Sequence, residues 1–67
     1  MKFKAGELVE MDSRASGIRD GLFLVLRLDI YDDPVVQVLR PRRTGGDFVG
    51  EIKAFFAADI CRVDGGR

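Results

Sequence analysis

The chain has 67 residues, one cysteine and no histidine, and its eleven basic side chains balance eleven acidic ones. That length holds one domain, and so small a core supplies only about 3–5 kcal/mol of stability. A lone cysteine excludes an intrachain disulfide, one thiol without histidine builds no zinc site, and zero net charge argues against a dedicated nucleic-acid binder, which carries a basic excess.

The longest apolar run, Leu22 to Leu26, is far short of the ~20 residues that a membrane span needs. The opening Met1-Lys2-Phe3-Lys4 is followed by no apolar stretch of signal-peptide length. A reducing, cytoplasmic setting is expected, with no membrane partner and no cofactor.

Turn residues divide the chain into five short runs. Gly6 precedes the first, Glu7–Met11, and a polar loop over Asp12–Asp20 leads to Gly21. The second run, Leu22–Tyr31, sets Leu22, Leu24, Leu26, Leu28 and Ile30 at alternate positions, the period of a strand. Asp32-Asp33-Pro34 then signals a hairpin, because Asp starts turns and Pro presets φ. The third run, Val35–Arg40, is β-branched and too short for a stable helix. A loop from Pro41 to Gly46 leads to the fourth, Asp47–Phe55. Ala57-Ala58-Asp59 fits one 3₁₀ turn before the fifth, Ile60–Val63. Residues 1–64 read as a single domain and 65–67 as a frayed tail.

The order of these pieces resembles the SH3-like small barrels. The resemblance is carried by Gly6-Glu7-Leu8-Val9, by Gly21 at the second strand, by Val36-Gln37-Val38, and by the closing Phe55-Phe56-Ala57-Ala58-Asp59-Ile60. It covers about residues 3–64. It implies an all-β, five-stranded SH3-like barrel with a short 3₁₀ turn before the last strand. Short uncharacterised bacteriophage proteins share nearly the same opening and closing pieces, which implies a phage origin and a host cytoplasm. Type II dihydrofolate reductases are similar in length and strand layout. Ile52-Lys53-Ala54-Phe55 stands here where they carry Val-Gln-Ile-Tyr, so their activity is not carried over.

Catalysis finds little support, and no enzyme is expected. Without histidine there is no Ser–His or Cys–His pair. Cys61 alternates with Val63 and reads as a small buried residue of the inner face. Asp29, Asp32 and Asp33 sit at a hairpin, where turn chemistry accounts for them without acid–base work or metal binding. Arg40, Arg42 and Arg43 form a basic loop suited to phosphate or carboxylate, with Asp47 and Glu51 as counter-charges.

The strongest functional sign is apolar excess. If Leu22, Leu24, Leu26, Leu28, Val36, Val38, Phe48 and Ile52 point inward, then Phe23, Val25, Val35, Leu39 and Val49 form an apolar outer patch on neighbouring strands. A patch of that kind marks a contact surface. The expected function is a non-enzymatic interaction module, working as a homo-oligomer or as an adaptor or inhibitor of a host protein. The alternative is a nucleic-acid-associated barrel using the basic loop.

Overall fold

The computed structural model describes residues 2–12 and 18–63. Its strands are β1 (Leu8–Asp12), β2 (Arg19–Leu28), β3 (Pro34–Arg40), β4 (Ile52–Ala54) and β5 (Ile60–Arg62), with a 3₁₀ turn over Ala57–Asp59 before β5. They form one antiparallel sheet in the order β4-β3-β2-β1-β5. The fold is all-β, as expected. The sheet is open, with β4 and β5 at opposite edges, and does not close into a barrel.

The hairpin between β2 and β3 forms where Asp29 anchors it. Its Oδ1 accepts hydrogen bonds from the backbone N–H of Tyr31 (2.8 Å) and Asp33 (3.0 Å), and Asp32 takes a positive φ of 63°. The acidic cluster is therefore turn chemistry. Asp33 Oδ1 in turn accepts from the Ala57 N–H at 2.9 Å, tying the 3₁₀ turn to the hairpin.

The core lies on one face. Phe3, Val9, Phe23, Val25, Val36, Val38 and Ile60 are buried together, and Met11, Leu28, Phe55 and Ala57 pack against them. Val9 and Val38 stand opposite Phe23 on either side, making one apolar row across three strands. The expected inward phase of β2 is corrected here. Phe23 and Val25 are 0% and 1% exposed, whereas Leu26 is 37% exposed. The cause is a bulge. Val25 pairs with Val36 and Arg27 with Val35, which leaves Leu26 as an extra residue on β2. One inserted residue turns everything before it to the other face. Leu28 keeps the expected inward side, while Leu24 changes sides.

β4 is much shorter than the run that predicted it. Gly50 has φ +86°, and the Glu51 N–H donates to the Phe48 carbonyl at 3.0 Å, closing a turn where a strand was expected. Phe48 and Ile52, both expected inside, are exposed. The loop at 13–17 and the tail at 65–67 lie outside the described residues.

Candidate protein-interaction surface

Alternation puts Leu8, Leu24, Gln37 and Ile52 on the face away from the core. Their pairings run Leu8 opposite Leu24, Leu24 opposite Gln37, and Gln37 opposite Ile52, a continuous row over β1 to β4. Leu26 and Leu39 extend it as bulge residues. Leu39 is the extra residue of β3, between the Leu22–Arg40 and Phe23–Val38 pairs. Val35 shares this face with Ala54 and Ile52 but is itself buried. The face is thus apolar through its centre, with Ile52 60% exposed. Glu10 stands towards the β5 edge opposite Cys61, and Arg27 stands past the Leu26 bulge opposite Val35.

Of the five residues expected to make the outer patch, Phe23 and Val25 belong to the core and are withdrawn. Val35 is covered, so it offers no free surface. Leu39 and Val49 are exposed, Leu39 on the face and Val49 in the turn before β4. The residues that sequence reasoning placed inside, Leu24, Leu26 and Ile52, take over the surface. Two apolar faces on β2 made the excess visible in sequence, but period alone cannot say which is outer.

Cys61 also changes place. Ile60 is the buried residue of β5, and Cys61, next to it, is half-buried opposite Glu10. Partial burial pushes its thiol above the ordinary range, which makes it a poor nucleophile.

The basic loop is divided. Arg42 turns inward, its Nε 2.9 Å from Asp47 Oδ2 and its Nη2 2.7 Å from Asp47 Oδ1. Lys53 Nζ approaches the same Asp47 Oδ1 at 2.7 Å, and Glu51 lies 3.8 Å from Lys53. The hydrogen-bonded Arg42 guanidinium holds the Asp47 carboxyl well below its usual range, and Arg42 is raised in return. Both cations also face the Phe55 ring, at 5.1 and 5.8 Å from its centroid. Arg42 is therefore part of the scaffold. Arg40 and Arg43 stay exposed; the Arg43 N–H donates to Asp20 Oδ2 at 2.9 Å.

Among the described residues, no group of three or more His, Cys, Asp or Glu side chains is gathered to hold a metal, and no helix is long and apolar enough to cross a membrane. A scan against protein-family models, a search of curated proteins and a search of solved structures each found no match to this chain.

Proposed function

We propose that this chain is a non-enzymatic interaction module that works as a homo-oligomer, two copies meeting across the outer sheet face. The observation that carries this reading is the row Leu8, Leu24, Gln37, Ile52, which crosses four strands without a charge. A sheet with apolar residues on both faces buries the second against another layer. Two features favour a second copy as that layer. The only polar group in the row is the Gln37 carboxamide; its Nε2 donates to the Gly50 carbonyl at 3.3 Å, and its oxygen and second N–H can pair with those of a copy related by a two-fold axis near it. Zero net charge removes the long-range repulsion that keeps like molecules apart.

The nucleic-acid alternative loses Arg42 to Asp47 and rests on Arg40 and Arg43 alone.

Four strands spaced ~4.8 Å apart and about five residues at ~3.3 Å give a flat footprint of roughly 300 Å². Two such faces bury roughly 600 Å² in total, below the about 1,200–2,000 Å² of stable complexes, so association is weak and reversible. Size measurement over a concentration series tests it. The parent approaches twice the 7.5 kDa chain mass at high concentration, and Leu26→Lys or Ile52→Lys holds it at one. A parent that stays monomeric throughout overturns the reading.

A further inference from the structure

A groove of about 500 Å³ opens on the core side of the sheet, between the β2–β3 hairpin and the 3₁₀ turn. Phe55 lines it, fixed by an edge-on contact with the core Phe23 at 4.9 Å between ring centroids. Tyr31 and Phe56 also line it, at 77% and 71% exposed, so two aromatic rings beside a formed groove are left to solvent. Exposed aromatics at the mouth of a groove are typical anchors for a ligand.

The charge around those rings sets what fits between them. Asp29, Asp33 and Asp59 line the same groove. Arg42 lines it too, but that cation and the neighbouring Lys53 are balanced within the fold by Asp47 and Glu51. The net field of the groove is therefore negative. Asp29 and Asp33 are held by backbone N–H groups of the hairpin and the 3₁₀ turn, so these walls need no rearrangement to receive a ligand.

The geometry points to a second binding site here, for an extended basic peptide segment of another protein: an Arg or Lys beside an aliphatic residue. The cation meets the carboxylates and the faces of Tyr31 and Phe56, and the aliphatic side chain covers the Phe55 end. The proposal is independent of self-association, because the groove is lined by none of Leu8, Leu24, Leu26, Gln37 or Ile52.

The test is a ¹⁵N NMR titration with two unlabelled hexapeptides, acetyl-Gly-Leu-Arg-Leu-Arg-Gly and the same peptide with Glu for each Arg. The Arg peptide is expected to give saturable shifts at residues 29–33 and 54–59, at least tenfold tighter than the Glu peptide and weakening with added salt. Phe56→Ser and Asp59→Asn, both exposed positions, each weaken it at least threefold with the melting temperature unchanged. Leu26→Lys, which removes self-association, keeps the binding. Should Phe56→Ser disturb folding, Asp59→Asn still decides. No saturation at millimolar peptide, equal binding of the two peptides, or shifts confined to the leucine face overturns the proposal.

Discussion

The Arg42 guanidinium closes on the Asp47 carboxylate through two parallel contacts, 2.9 Å at Nε and 2.7 Å at Nη2, with no Asp47 side-chain surface left to solvent. Removing one partner from such a pair strands the other, at a cost of about 3–5 kcal/mol. A domain of this size has about that much stability in total. Asp47→Asn should therefore leave much of the protein unfolded at room temperature, read from the urea transition. Acid acts on the same contact. The folded carboxyl titrates below the ordinary value of 3.8, so its contribution is complete above that pH and is lost as the pH falls further and the unfolded state takes up the proton first. Glu7, lowered by its hydrogen bond from Arg62, adds a smaller effect of the same sign because that pair is partly exposed. Acid unfolding of the parent should thus begin below about pH 4, read by circular dichroism.

Neighbouring residues of β2 should respond oppositely to the same change. Val25→Lys buries a charge among Val9, Phe23 and Val36 and should abolish the cooperative thermal transition seen by circular dichroism. Leu26→Lys, on the bulge, should melt within a few degrees of the parent, because the lysine reaches water. The opposite result would mean that the bulge is misplaced.

Gly21 is required by both its conformation and its surroundings. Its φ is +73°, and a Cβ there would stand 2.7 Å from Cζ of Phe23. Gly21→Ala should destabilise by roughly 1–3 kcal/mol from backbone strain and a displaced core ring. Gly46→Ala shares the positive φ of +69° but meets nothing within 4 Å, so it should cost less. A chemical-denaturation comparison of the two separates crowding from strain.

The strand content, a hairpin near Asp32-Asp33-Pro34 and the 3₁₀ turn at Ala57–Asp59 were legible in the sequence because turn chemistry is local, although β2 ends at Leu28 and the turn is anchored by Asp29, earlier than the sequence placed it. The side on which Leu24 and Leu26 lie was not legible. The alternation from Leu22 to Leu28 is unbroken in sequence, and the bulge at Leu26 arises only from pairing with β3. The start of β4 escaped for a similar reason. Asp47 is drawn inward by Arg42 and Lys53, and the chain then turns at Gly50 before it can pair as a longer strand. The apolar excess on the sheet was visible; its owners depended on a one-residue register shift.

The most direct test of the central claim, that the leucine face joins two copies, is sedimentation equilibrium of the parent beside Leu26→Lys from micromolar to millimolar concentration. The parent mass should climb from 7.5 kDa towards twice that value, while the variant, equally folded by circular dichroism, stays at 7.5 kDa throughout. A parent that remains at the single-chain mass, or a variant that associates as the parent does, would contradict it.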